Sequence, residues 1–453
     1  MFWYQYQLAL RSIRKTPILS CVMIFILATG VAVTTICYTH YHHLKKNPLA
    51  HKDEHLFLLQ TDSWDEKTQY ERTPNHLPPL HSYRDSVALL ASDIPLRKTA
   101  ITKWGGSMHN PEIQQKAIFV RGNIVTRDFF AMFEREFIYG GAWNAIADQQ
   151  FQNVIILNED VNQKLFSGDN SIGKSVMYEN IQYQVVGVTK KVQHSNPTYD
   201  IAQFRWPQPD AQFYIPFSVI KAAEFGAWTR YECPQDLRDY GSHWYQPRLI
   251  NSCIWIGLWY EFAGEEQKHQ FENFVRNYIQ DQKKAGNYPR PIRFALSSIG
   301  DYMQLNQQGY DEDKTTIYIG FFTLLVCTLN FVALLLAKFM RALPESGVRR
   351  ALGANRRVIF AQHLIESTTL GSIAAVLGML MTFAGLLYLQ LVWKSAPAPS
   401  SGLPVQDNTV LMEPDFYLMT VCVLTAIAAS ICAGLYPAWR ACKVPAANYL
   451  KIQ

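Results

Sequence analysis

Four stretches of this chain run 21 or 22 residues without an Asp, Glu, Lys or Arg: Ile18–Tyr38, Thr316–Ala337, Gly371–Val392 and Phe416–Tyr436. A helix rises about 1.5 Å per residue, so about 20 apolar residues cross a ~30 Å hydrocarbon core. A buried helix of a soluble domain rarely stays uncharged for that long, and each run is read as a membrane span. The first run has a rival reading as a secretory signal. A signal's apolar region is only about 7–15 residues long, whereas this one continues through Thr34, Thr35, Ile36, Cys37 and Tyr38. The rest of the 453 residues is polar enough to be soluble. The pattern excludes a simple cytosolic enzyme and a wholly embedded carrier, and 13% aromatic residues exclude disorder.

Orientation follows from the Lys and Arg beside the spans. Arg11, Arg14 and Lys15 precede the first. Lys338, Arg341, Arg349, Arg350, Arg356 and Arg357 lie between the second and third, and Arg440, Lys443 and Lys451 follow the fourth. The loop 393–415 carries only Lys394 against Asp407, Glu413 and Asp415. Both termini and the loop 338–370 are therefore expected inside, and 39–315 outside. The expected order is an amphipathic helix over 1–16, a span over 17–38, an outer domain over 39–315 and spans over 316–337, 371–392 and 416–436. A tail over 437–453 completes it. Thr16 is placed to cap the first span and Pro17 to open it. The net charge of +5 reflects this topology and calls for no nucleic-acid partner.

In the outer domain, Val154-Ile155-Ile156-Leu157 reads as a buried strand, and Asn158 as the cap of a helix over Glu159–Phe166. Ser175–Val188 alternates around Glu179-Asn180 as a hairpin. The domain is thus mixed α/β, with a second, loop-rich subdomain expected around 195–260, where Trp206, Pro207, Pro209, Trp228, Trp244 and Pro247 cluster. Gly168 to Ser175 fits the phosphate-loop pattern G-x-x-x-x-G-K-[ST]. That motif needs a helix after it to aim free N–H groups at phosphate, and here an alternating strand follows, so it is read as a turn.

Cys233 and Cys253 are the two cysteines of the outer domain; a bridge and two buried thiols are both open. His40, His42, His43, His51 and His55 lack a completing carboxylate or thiol and are read as wet residues near the membrane, not a metal site. No catalytic triad is apparent. Asn330 is the one strongly polar side chain of the second span, suited to a hydrogen bond between helices. The four runs hold no ionisable residue, which speaks against an ion-coupled carrier.

Pro344 and Glu345 suit a helix start, Gly353 a left-handed close, and Asn355 the cap of the next helix. This gives a short basic helix between two spans. Its residues, Glu345, Ser346, Gly347, Val348, Arg349, Arg350, Ala351, Leu352, Gly353 and Ala354, resemble the "E-I-G-x-R-R-A-L-G-A" core of FtsX-like, MacB-type ABC transporter permeases. Gln362 and Glu366 match that family's "Q-x-x-x-E". Pro437–Ala441, and Val444-Pro445 through Leu450-Lys451, are similar to its C-terminal ending. Asp128-Phe129-Phe130, Asn158-Glu159, Lys164-Leu165-Phe166, Ile172-Gly173-Lys174 and Val185–Val188 resemble its periplasmic core domain.

The resemblance implies an α-helical inner-membrane protein of the type VII, mechanotransmission class. Its four spans would be arranged one plus three, with the α/β periplasmic domain inserted between the first two. Glu345–Ala354 would be the coupling helix that docks on a cytoplasmic ATPase. The chain itself would be non-catalytic and bind no cofactor, with ATP and magnesium used by that partner. The short N-terminal segment implies that the ATPase is a separate subunit. A second permease chain, identical or not, would complete a dimer. The expected work is export of a peptide, antibiotic or other amphipathic substrate with an adaptor and an outer-membrane channel. Release of lipoproteins, and mechanical regulation of a cell-wall hydrolase, are the alternatives.

Overall fold

Val154-Ile155-Ile156-Leu157 is apolar without a break because both of its faces are covered. In the computed structural model it lies inside an eleven-stranded sheet, and its side chains divide by turns between two cores. The residues described are 2–45, 47–66, 70, 77–113, 116–192, 198–203, 210–221, 232–233, 253–307, 311–351, 355–395 and 416–443. They fall into two compact units, Lys46–Gly309 and the combination of Met1–Lys45 with Tyr310–Gln453.

The sheet unit contains β1 (Leu56–Thr61), β2 (Leu80–His81), β3 (Arg97–His109), β4 (Ile118–Val125), β5 (Phe137–Gly140) and β6 (Val154–Asn158). It continues with β7 (Ser175–Tyr178), β8 (Ile181–Thr189), β9 (Phe213–Pro216), β10 (Ile256–Glu261) and β11 (Phe294–Ser298). The spatial order is β11-β1-β10-β3-β4-β9-β6-β8-β5, with β2 on β10 and β7 on β3 and β8. Successive side chains of a strand point to opposite faces. Accordingly Phe57, Ile155, Leu157, Phe213, Ile215, Leu258 and Tyr260 enter one core, and Leu58, Ile156, Tyr214 and Trp259 enter the other. Helix Glu265–Lys284 covers the first core with Phe271, Val275 and Ile279, spaced four apart on one stripe. Full burial of each such side chain stabilises by about 1.5–3 kcal/mol.

Local chemistry sets the connections. Asn158 ends β6 and accepts a 2.9 Å hydrogen bond from the Val161 N–H, capping helix Glu159–Phe166 as expected. Glu179 and Asn180 both take positive φ, +48° and +67°, closing the tight β7–β8 hairpin. Cys233 and Cys253 are joined in a disulfide.

The expected second subdomain is corrected where its residues are described. β9 sits within the main sheet, parallel to β4 and antiparallel to β6, and β10 pairs with β1 and β3. Buried ion pairs fix the segment before β9: Lys103 Nζ lies 2.5 Å from Asp200 Oδ2, and Arg135 Nη2 donates to Asp210 Oδ2 at 2.7 Å. Trp206, Pro207, Pro209, Trp228, Trp244 and Pro247 lie outside the described residues.

Among the described residues the second unit holds four helices long and apolar enough to cross a membrane: Pro17–Lys45, Asp311–Arg341, Arg356–Ser395 and Phe416–Lys443, hereafter the first to fourth long helices. They extend past the uncharged runs, so the sheet unit begins at Lys46 and not at Thr39. Small residues let them approach closely. A Cβ on Gly371 would sit 2.0 Å from Ser430 Oγ, and one on Gly434 would sit 2.1 Å from Ser367 Oγ, so third and fourth helices interlock reciprocally. Between first and second, Thr34 Oγ1 donates to the Gly320 carbonyl at 2.9 Å. Helix Phe2–Lys15 precedes Pro17, with Thr16 at the break. The Thr16 carbonyl accepts the Ser20 N–H at 3.0 Å, while its hydroxyl turns back to the Ser12 carbonyl at 3.5 Å instead of capping forward.

Candidate functional site

Helix Leu343–Ala351 links the second and third long helices. Glu345 stands in its first turn, where the helix dipole favours an anion. Leu343 anchors its start in the same core as Phe331, Leu335 and Phe339. Asn355 caps the next helix: its Oδ1 accepts the Arg357 N–H at 3.2 Å and its carbonyl the Val358 N–H at 3.0 Å. Gly347 is buried, whereas Glu345 and Val348 are exposed. The side chains of Arg350 and Ala351, and the whole of Leu352, Gly353 and Ala354, lie outside the described residues.

Two polar contacts tie this helix to its neighbours. The Lys15 ammonium donates to Glu345 and holds that carboxyl below its ordinary range. Arg349 Nη1 donates to Gln362 Oε1 at 3.0 Å, reaching the first turns of the third long helix. One turn on from Gln362 lies Glu366. Its Oε1 pairs with Lys338 Nζ at 2.8 Å and accepts from Ser12 Oγ at 2.5 Å. Lys338 also donates to Ser20 Oγ at 3.2 Å. The His363 ring lies 4.2 Å from that of Phe339 and 3.9 Å from Glu366 Oε2. Both charged side chains are almost fully enclosed, Lys338 at 4% and Glu366 at 3% exposure.

The result is a buried polar knot joining the N-terminal helix and the first, second and third long helices directly behind the linking helix. It leaves the four runs uncharged and lies at the edges of two of them. Glu366 lies in the third of the helices long and apolar enough to cross a membrane and Lys338 in the second, just outside the uncharged runs. Sequence reading placed Glu366 in a motif and Lys338 in a charge tally. The 28 residues separating them hid their pairing.

The remaining predicted residues are dispersed. Asn330 is exposed on the outer side of the second long helix, not turned between helices of its own chain. In the pseudo-phosphate loop, Gly173 N–H donates to the Val185 carbonyl at 2.8 Å and Lys174 N–H to the Ser171 carbonyl at 3.0 Å. The Lys174 ammonium lies 5.2 Å from the Phe166 ring centre. A helix precedes this loop and β7 follows it, the reverse of the arrangement phosphate binding needs. His51 contacts Glu134 at 2.9 Å and His55 the Phe262 carbonyl at 3.1 Å. No group of three His, Cys, Asp or Glu is arranged to hold a metal among the described residues.

Two family models match the chain side by side: MacB-like periplasmic core domain over residues 20–242, and FtsX-like permease C-terminal over residues 317–446. The chain belongs to the FtsX-like, MacB-type permeases. A relative in Bacillus subtilis, named as the uncharacterized ABC transporter permease YvrN, is 22% identical over 260 residues, 57% of this chain and 56% of the relative. The macrolide export ATP-binding/permease protein MacB of Bradyrhizobium diazoefficiens is 21% identical over 324 residues, 70% of this chain and 41% of that protein. The chain thus spans about half the length of the curated relatives it matches. Among solved structures, the periplasmic region of MacB from Actinobacillus actinomycetemcomitans aligns with a TM-score of 0.36 and 13% identity, covering 57% of this chain and 95% of that one. The extracellular domain of YknZ from Gram-positive bacteria aligns with a TM-score of 0.34 and 11% identity, over 54% of this chain and 100% of that one.

Proposed function

We propose that this chain is the membrane-spanning subunit of an ABC exporter, and that it transmits the motion of a separate cytoplasmic ATPase to the Lys46–Gly309 unit. In this reading the linking helix is the coupling helix, and ATP and magnesium belong to the partner. Both termini face the cytoplasm, as the basic residues beside the spans favour. Lys46–Gly309 works on the periplasmic side of the inner membrane, moving an amphipathic substrate towards an adaptor and an outer-membrane channel.

The observation that carries the reading is the wiring of the linking helix. Its outer side is exposed at Glu345 and Val348. It is tied to the N-terminal helix by the exposed Lys15–Glu345 pair and to the third long helix by Arg349–Gln362. A push on the exposed side therefore reaches the two helix ends that close on the Lys338–Glu366 knot. A free connector lying on lipid would need neither contact.

The test reverses charge at Arg349 and Arg350 together. Arg349→Glu with Arg350→Glu is expected to leave the chain folded in the membrane fraction and to abolish stimulation of the co-purified ATPase. Undiminished stimulation refutes the assignment.

A further inference from the structure

We infer that the cytoplasmic end of the third and fourth long helices binds one anionic phospholipid, whose phosphodiester sits among Arg356, Arg357 and Arg440; the inference rests on the reading that both helices cross a membrane with these ends inside. Tyr436 closes the uncharged run Phe416–Tyr436, and Trp439 and Arg440 follow within about one turn, roughly 5 Å further along the helix. The Tyr436 and Trp439 rings are exposed on the protomer, with centres 6.5 Å apart. Rings so placed belong at the headgroup level, where an apolar body meets a polar tip. Tyr436 Oη accepts from Arg440 Nη1 at 2.9 Å, which holds that guanidinium at the edge of the hydrocarbon. The third long helix starts alongside: the Arg356 carbonyl oxygen lies 3.8 Å from Cys442 Sγ. Cys442 stands only about 60° round the helix axis from Trp439, so Arg356 enters on the Trp439 side. Arg356, Arg357 and Arg440 are all exposed, and this packing brings them to one corner of the helical unit.

Charge and depth select the occupant. The segments 1–16, 338–370 and 437–453 hold twelve Lys and Arg against two acids, Glu345 and Glu366. Those two carboxylates are already held, by Lys15 and by Lys338. Among the described residues no carboxylate pairs with Arg356, Arg357 or Arg440. The backbone at the start of the third helix is not the donor either, because Asn355 takes the Arg357 and Val358 N–H groups. The donors that remain are guanidinium groups, whose planar fork matches two phosphate oxygens. A basic pocket between spans on the cytoplasmic side suits an anionic headgroup. A free phosphate would answer the guanidiniums and offer nothing to the two exposed rings. A diacyl phospholipid answers both, laying its glycerol and upper acyl carbons on Trp439 and Tyr436. A soluble protein reaching Tyr436 would have to enter the hydrocarbon, where its own polar backbone would go unsatisfied.

The experiment reconstitutes the full-length chain in bilayers of equal phosphatidylglycerol and phosphatidylcholine with the same acyl chains. The chain is then extracted in detergent, and the lipid it retains is quantified by mass spectrometry. An arginine near an anionic surface is worth about fivefold in affinity, so wild type should retain phosphatidylglycerol over phosphatidylcholine by at least about tenfold. Combining Arg356→Gln, Arg357→Gln and Arg440→Gln should bring the ratio close to that of the bilayer. Arg440→Gln alone, which disturbs the helix ends least, should lower it about fivefold. A control combining Arg11→Gln, Arg14→Gln and Arg341→Gln removes three other exposed arginines expected on the same membrane face and should keep the ratio. Equal retention of the two lipids by wild type overturns the proposal. So does an equal loss in the control, which would mean diffuse charge and no site. Displacement of phosphatidylglycerol by soluble glycerol phosphate overturns it in favour of free phosphate. Loss of the co-purified ATPase from the triple variant with its lipid ratio unchanged assigns the arginines to that protein and overturns it too. All of these leave the topology standing. In a chain whose other five free cysteines are replaced by Ala, labelling of Cys442 in intact cells by a membrane-impermeant thiol reagent would overturn the topology and this site with it.

Discussion

Glu366→Leu should destabilise the helical unit severely, and the loss should be largely recovered by adding Lys338→Met. At 2.8 Å and an effective dielectric constant of about 20, the gross attraction of the Lys338–Glu366 pair is roughly 6 kcal/mol. Most of that is spent on taking two charges out of water, since the side chains are only 4% and 3% exposed. The pair's net worth is therefore small, but removing one member strands the other. A lone buried Lys338 ammonium then costs about 3–5 kcal/mol, and the double apolar replacement should fall within about 1 kcal/mol of wild type. For a unit of this size about 1 kcal/mol moves Tm by roughly 2–4 °C, so the single variants should melt about 6–20 °C lower. The cysteines supply a selective readout. All six free thiols, Cys21, Cys37, Cys327, Cys422, Cys432 and Cys442, lie in the helical unit, and the two in the sheet unit are bridged. A dye that fluoresces on reacting with thiols, added to detergent-purified chain during a thermal ramp, reports helix separation through the half-buried Cys37, Cys327, Cys422 and Cys442, above a starting signal from the exposed Cys21 and Cys432. A single variant melting within 2 °C of wild type would show the pair to be solvated. A double variant no better than the singles would show that the charges are not each other's main partner.

Gly371→Ala forces a Cβ to within 2.0 Å of Ser430 Oγ and should cost about 1–3 kcal/mol by overpacking; Ser430→Gly in the same chain should restore the melting temperature, and its failure to do so would discount that contact. Reducing Cys233–Cys253, which are 20 residues apart, should lower the stability of the sheet unit by about 3 kcal/mol, read by denaturant titration of tryptophan fluorescence. Burial pushes the Asp148 carboxyl from 3.8 up to about 6, against the bonds it accepts from the Arg127 N–H and Trp143 Nε1. The native state thus holds a proton that the unfolded chain has released, so this group's stabilisation is full below about pH 4 and is lost as pH rises through about 6. Asp148→Asn should flatten that slope, which amounts to about 3 kcal/mol at most.

What the sequence disclosed was the chemistry acting over one turn or one strand. The uncharged runs, the Asn158 cap, the Glu179-Asn180 hairpin and the Asn355 cap are each local, and the structure contains them all. β9 and β10 were hidden for a different reason. Phe213-Tyr214-Ile215 and Ile256–Tyr260 have the aromatic and β-branched make-up of strands, but they flank a stretch dense in Pro and Trp and were absorbed into its composition. Their places beside β4 and β3 are set by long-range pairing that no local pattern encodes.

The functional node was obscured by the criterion that found the spans. An uncharged run stops at the first charge, whereas a helix continues through a charge that has a partner. Lys338 directly follows the second run and Glu366 precedes the third, and both lie inside longer helices, paired with each other. This bears on how the linking helix can work. A helix hinged on exposed, solvated ends would lose its motion within the connecting turns. Here Arg349 reaches Gln362, and Glu366 one turn further on grips Lys338 and Ser12, so the second and third long helices and the N-terminal helix meet at one carboxylate. If displacement of the linking helix passes through that carboxylate, the neutral double variant Lys338→Met with Glu366→Leu should fold and bind its ATPase yet fail to be driven by it. Full activity in that variant would place the transmission elsewhere and leave the knot a matter of stability alone.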